Sequence, residues 1–233
     1  MKKFGLLVFA AALVIGVVVA NIFSFGRAES SVFSFNIGFG STKGSGNIVT
    51  EKRDLAGFNA IDVSNVFVVE VTTQSEFSVE VEADDNLLPL IKTEVQNGRL
   101  EISVVKKIKS KSPIKIRIGA PNIEKLNASG ASRTTISNIT GSGIDLDVSG
   151  ASKVKLSGAA SRLTADLSGA SSIDATELQC ETVSVDSSGA SKAKVNASGT
   201  LNVDSSGASS ISYVGTPATI NKKTSGASSV KSL

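Results

Sequence analysis

The chain has 233 residues, a formal net charge of +3 and 41% hydrophobic residues, so it can build a real core and is not a disordered chain. It contains no histidine and one cysteine, which excludes histidine-based acid/base chemistry, histidine metal sites, an intramolecular disulfide and a thiolate site made by cysteine alone. The small net charge gives no signal for nucleic acid, and with aromatics at 5% the core must come from Val, Ile, Leu and Ala.

The chain opens with Lys2 and Lys3, followed by an uncharged apolar run from Phe4 to Ala20. That layout is a secretory signal, and Val18-Val19-Ala20 offers a small-residue cleavage site. The apolar character persists through Ile22, Phe23 and Phe25, so residues 1–26 read as a signal peptide or as a retained N-terminal membrane anchor. No cysteine closes the apolar run, which excludes a bacterial lipid anchor. Either way the rest of the chain is expected in an extracytoplasmic space, at the cell surface, in a periplasm or secreted. Contact with a membrane is expected through this segment alone. Residues 27–46 are rich in Ser and Gly and read as a linker.

From residue 47 to 121 apolar and polar residues alternate. Phe67, Val69 and Val71 share one face, as do Phe77, Val79 and Val81, then Leu100, Ile102 and Val104, then Ile114, Ile116 and Ile118. Each run predicts a half-buried strand. Asn97-Gly98 predicts a hairpin turn. Asp84 to Ile91 predicts a short helical turn, limited by Pro89.

From residue 122 to 233 the chain repeats. The tetrad Ser-Gly-Ala-Ser begins at Ser129, Ser149, Ser168, Ser188, Ser206 and Ser225, at intervals of 20, 19, 20, 18 and 19 residues. A fixed period near twenty is a solenoid signature. Aligned on the tetrad, apolar residues fall at alternate positions on both sides of it, for example Leu146, Ala165, Val185 and Val203 before it. Polar residues fall between them and point outward. The predicted fold is all-β: a parallel β-helix with coils of about 19 residues, preceded by strands and hairpins. The tetrad glycines would supply a backbone angle or a close approach that a Cβ blocks, and stacked serines can bond to one another in rows. A second glycine position, at Gly141, Gly158, Gly199 and Gly215, marks another corner.

Two groups of charged residues are candidate binding sites. Asp147, Asp166, Asp186 and Asp204 recur two positions before a tetrad and form a carboxylate ladder, suited to a cation or to sugar hydroxyls. At the coil spacing of about 4.8 Å, two such charges in water repel by only about 1 kcal/mol, so the ladder needs no cation and a plain solvated face is the preferred reading. Lys106, Lys107, Lys109, Lys111, Lys115 and Arg117 form a basic cluster suited to acidic polysaccharide or anionic lipid heads, or to a solvated hairpin whose charges guard an edge strand. Interleaved aromatics for base stacking are missing. The repeated serines have no base tied to them, and six copies imply a structural part. Cys180 is read as a buried, inert thiol. No catalytic residue, metal site or cofactor is assigned.

The chain resembles a bacterial family, DUF2807, described as "putative auto-transporter adhesin, head GIN domain". The resemblance rests on Gly46-Asn47-Ile48-Val49-Thr50-Glu51, Leu55-Ala56-Gly57-Phe58-Asn59-Ala60-Ile61, Val81 to Leu88, Ile91 to Val95, Gly98 to Ile102, and the tetrad coils. It runs from about Gly46 to Leu233. It implies a right-handed parallel β-helix, similar in fold to pectin and polysaccharide lyases, and an envelope or surface location. It supplies no catalytic residues. The tripeptide of the family's name appears here only as Ser45-Gly46-Asn47. No membrane barrel is expected after the repeats.

These features give a non-enzymatic extracytoplasmic scaffold or binding module, for a glycan or a cell-surface protein, as the leading function. A lyase-like enzyme acting on acidic glycans is the alternative, with Lys153, Lys155, Lys192 and Lys194 beside the Asp column as its weak constellation. An envelope signalling accessory protein is a third. The final coil has no recognisable cap, which predicts self-association or fraying there.

Overall fold

Alternating β-branched and polar residues give strands along most of residues 40–233, the part that the computed structural model describes. The expected signal or anchor, and most of the expected linker, lie outside the described residues. Residues Gly40–Leu233 form one compact unit. The strands in chain order are β1 (Thr42–Lys43), β2 (Ile48–Arg53), β3 (Ala60–Val63), β4 (Phe67–Thr73), β5 (Ser78–Asp84), β6 (Ile91–Gln96), β7 (Arg99–Val104), β8 (Ile108–Lys109) and β9 (Ile114–Ala120). They continue with β10 (Lys125–Ala128), β11 (Arg133–Ile139), β12 (Gly143–Val148), β13 (Lys153–Leu167), β14 (Ser172–Ser187), β15 (Lys192–Ser205), β16 (Ser210–Val214), β17 (Thr219–Thr224) and β18 (Ser229–Ser232). A 3-10 turn, Leu88–Leu90, falls within the predicted helical turn, and Pro89 lies inside it. No helix among the described residues is long and apolar enough to cross a membrane.

The repeats stack as a parallel solenoid. Strands before the tetrads pair in the order β3, β10, β12, then the second halves of β13, β14 and β15, then β17. Strands after the tetrads pair as β4, β11, the first halves of β13, β14 and β15, then β16 and β18. Inward residues such as Leu126, Ile144, Leu156, Leu163, Val183 and Leu201 are fully buried and form one continuous core with the first strands.

The tetrad corner answers to both glycine arguments. Gly150 has φ +70°, and a Cβ on it would lie 2.5 Å from the Gly130 carbonyl oxygen of the coil below. From the second tetrad on, the amide of each tetrad alanine donates to the tetrad glycine beneath, as Ala151 does to Gly130 at 2.7 Å. The last serine of the tetrad turns inward. Ser132 donates to Ser152 at 3.2 Å, and Ser191 and Ser209 share a bond of 3.2 Å. At the second corner, a Cβ on Gly158 (φ +131°) would lie 2.2 Å from the Ile139 carbonyl oxygen.

The region expected to be strands and hairpins is built differently. Asn97-Gly98 does join an antiparallel pair, β6 and β7. However, β7 and β9 do not pair with each other: they lie parallel to β3 and β4 and continue the stack on the far side from the repeats. The solenoid therefore begins well before residue 122, and its spatial order departs from chain order. The antiparallel strands β6, β5 and β2 cover that end. The expected linker also closes earlier than residue 46. Thr42–Lys43 pairs with Ile108–Lys109, and Gly46 donates to the buried Asp84 at 2.6 Å.

Candidate functional site

Most coils turn from one strand to the next in four residues, at the tetrad. Between β7 and β9 the same corner takes nine residues, Val105 to Pro113. The surplus stands out from the stack, beside the tetrad column. A groove of about 710 Å³ lies between this loop and the corners of the neighbouring coils. Val66, Phe67, Val104, Ile108, Ala131 and Ala151 supply apolar lining. Lys107, Lys109 and Lys111 line it from the loop, and Arg133 and Lys153 line it from β11 and β13. None of these five cations has an ion-pair partner among the described residues.

The loop is held by its base. The amides of Thr42 and Gly44 donate to the carbonyls of Lys107 and Lys109 at 3.0 and 2.9 Å. The Ser110 hydroxyl donates to Asp84, which is buried and also accepts from the Gly46 amide. Those bonds hold the Asp84 carboxyl below the usual carboxylate range, Ser110 first and Gly46 second. Asp85 accepts from Ser45 at 2.6 Å and from Asn47 at 2.9 Å, and its pKa is likewise lowered. Ser45-Gly46-Asn47 thus works as a clamp under the basic loop.

The basic cluster read from the sequence is divided in space. Lys106 is exposed on the loop but does not line the groove. Lys115 and Arg117 lie on β9, where Glu82 takes both, at 3.0 and 2.8 Å. These partners depress the Glu82 pKa, Lys115 first, and raise that of Arg117. The expected hairpin is a coil corner: β8 pairs parallel with β1, and β9 lies beside β4 and β5. Arg133 was not legible as a partner of the loop, because it reaches the groove from β11, two coils along the stack.

The model of the DUF2807 family, "Putative auto-transporter adhesin, head GIN domain", matches residues 57–217. The chain belongs to this family. Among solved structures, a putative adhesin of Bacteroides fragilis NCTC 9343 matches with a TM-score of 0.69 at 22% identity, over 83% of this chain and 100% of that one. A putative adhesin of Parabacteroides distasonis ATCC 8503 matches with a TM-score of 0.54 at 19% identity, over 83% and 100%. A putative lipid binding protein of the same organism gives 0.51 at 18% identity, with the same coverage. At these identities the likeness is one of fold. No curated protein matches the chain. An adhesin-like family suggests an extracellular or envelope location.

The second candidate site of this DUF2807 domain is the carboxylate ladder. Asp147, Asp166, Asp186 and Asp204 are successive partners across paired strands, and all are exposed. The column runs further than the tetrads show. It passes through Asn127 to Asp62 and Glu101, and at the other end to Lys223, whose Nζ lies 3.0 Å from Asp204. Asp62 sits two residues before Ser64-Asn65, which occupies the tetrad position in the β3–β4 coil; that spacing was a sequence signal for it. Burial first, then Asp186 and Asp147, raise the Asp166 pKa. Among the described residues no group of three carboxylate or cysteine side chains could hold a metal ion.

Lys153, Lys155, Lys192 and Lys194 lie on strands after the corner, whereas the Asp ladder lies on strands before it. Lys155 pairs with Glu177 at 2.7 Å, which raises the lysine pKa. None of the four lysines pairs with a ladder carboxylate among the described residues. Cys180 is buried, and burial pushes its thiol up to about 11.

Proposed function

We propose that this protein is a non-enzymatic, extracytoplasmic binding module whose ligand is polyanionic and is held in the groove under the basic loop. The groove carries this reading: five cations without an ion-pair partner among the described residues surround an apolar lining, whereas Lys115 and Arg117 on β9 are already paired with Glu82 and Glu70. Cations left without counter-charges at one place raise the local concentration of anions and steer them in. A glycan partner fits this site when it is acidic, and a protein partner when its contact surface is acidic. Export through the N-terminal segment, by cleavage or retention, would bring the domain to such partners.

The test uses sulfated dextran as a generic polyanion and unsubstituted dextran as control. The sulfated polymer should bind, and its affinity should fall steeply with salt. Replacing Lys107, Lys109 and Lys111 by Ser should remove most of that affinity, while Lys192→Ser should leave it near the parent value. Equal affinity for both polymers would overturn the reading, as would indifference to the triple replacement.

A further inference from the structure

The groove loop has a feature that capture of a dissolved polyanion leaves unused. Val105, which opens the loop, is 61% exposed, and Val66, at the adjoining corner, is 71% exposed. Single exposed apolar residues need no explanation. Here two of them flank one loop that also carries Lys106, Lys107, Lys109 and Lys111, none of which has an ion-pair partner among the described residues. Polysaccharide chains offer little apolar surface to such side chains. A bilayer interface offers both a negative headgroup layer and, just beneath it, hydrocarbon. Lysine stems lie along apolar material while their ammonium groups stay in the headgroups.

Accepting the groove as a polyanion site, we infer that the polyanion is an anionic lipid bilayer surface. The loop docks with Val66 and Val105 beneath the headgroups and its lysines among them. This extends membrane contact beyond the N-terminal segment.

Residues 40–233 hold a continuous core and all the described strands, so this unit is used without the apolar segment, which would bind lipid by itself. Co-sedimentation with phosphatidylcholine vesicles, with and without phosphatidylglycerol, reads the binding. Phosphatidylglycerol should be required, and Ser at Lys107, Lys109 and Lys111 should weaken binding roughly 100-fold, as three cations at a charged bilayer imply. Val105→Ser, at a residue outside the groove lining, should weaken vesicle binding about threefold and leave sulfated dextran binding unchanged, since only a bilayer buries that side chain. An environment-sensitive dye on Val105→Cys should shift with phosphatidylglycerol vesicles, and one on Lys231→Cys should not; thermal unfolding checks each variant's fold. If sulfated dextran binds but phosphatidylglycerol adds nothing, or Val105→Ser leaves vesicle binding intact, the bilayer inference is overturned and the polyanion reading stands. Failure of both probes overturns both.

Discussion

The Asn65 carbonyl accepts the Ala131 amide at 2.9 Å, just as Gly130 accepts that of Ala151 one coil further on. Asn65 has φ +74°, so it stands in the glycine column although it belongs to no tetrad. Asparagine tolerates the left-handed region better than other residues with a Cβ, which is why the column can begin with it. A Cβ on Gly130 would lie 2.6 Å from that Asn65 carbonyl oxygen.

Angle and stacking can be separated. Gly57 has φ +77°, and a Cβ on it would meet nothing within 4 Å, whereas Gly150 combines φ +70° with a backbone oxygen at 2.5 Å. Gly57→Ala should cost about 1 kcal/mol from the angle alone. Gly150→Ala should cost roughly 2–5 kcal/mol, because the carbonyl beneath is fixed by its own coil. Urea unfolding of the two variants checks the difference.

The serine row inside the corner is broken at Ser171, whose buried hydroxyl has no hydrogen-bond partner. Ser191, by contrast, bonds to the Ser188 carbonyl at 3.0 Å and to Ser209. Ser171→Ala should be neutral or stabilising by up to about 1 kcal/mol, and Ser191→Ala should destabilise by about 1–3 kcal/mol. Thermal unfolding compares them directly.

The raised Asp166 pKa makes a pH prediction. A carboxyl that binds its proton more tightly in the fold lowers stability as pH rises from the ordinary carboxylate value through the folded one. At neutral pH, Asp166→Asn should therefore stabilise, by a few tenths of a kcal/mol after screening by water on its exposed side. The gain should vanish at acid pH, where both carboxyls are protonated, and shrink in high salt.

Asp84 titrates with the opposite sign. Its depressed pKa means that its contribution is present above the unfolded carboxylate value and is lost as pH falls through the folded one. Asp84→Ala removes the acceptor of Ser110 and Gly46. Amide exchange in residues 42–47 and 106–112 should speed up roughly tenfold or more, with little change in the repeats. Sulfated dextran affinity should drop with it.

Cys180 should resist alkylation in the folded protein at pH 8, since its thiol is buried and its pKa is pushed up to about 11. Thiol labelling with and without denaturant measures this.

The coils were legible because a solenoid imposes one rule on every turn. Small residues must recur wherever the backbone turns sharply under a neighbour, and apolar ones must recur wherever side chains meet the shared core. Ser149 to Ser152 and Leu146 show that rule in a single repeat. The β3–β4 coil obeys it in disguise, with Asn65 standing where the repeats have glycine, so the tetrad pattern does not reveal it. Alternation in Leu100 to Val104 and Ile114 to Ile118 marked strands, but alternation is blind to which strand lies alongside.

By itself, then, the sequence determined the strands, the period, the tetrad corner and the four central carboxylates, all of which depend on residues close in the chain. Tertiary structure alone decided that β7 and β9 stack beyond β3 and β4. It also decided that Glu82 and Glu70 pair with Lys115 and Arg117, and that Arg133 and Lys153 join Lys107, Lys109 and Lys111. Those outcomes depend on distance across coils, where charges far apart in sequence cancel or accumulate, and no local pattern encodes which of the two will happen.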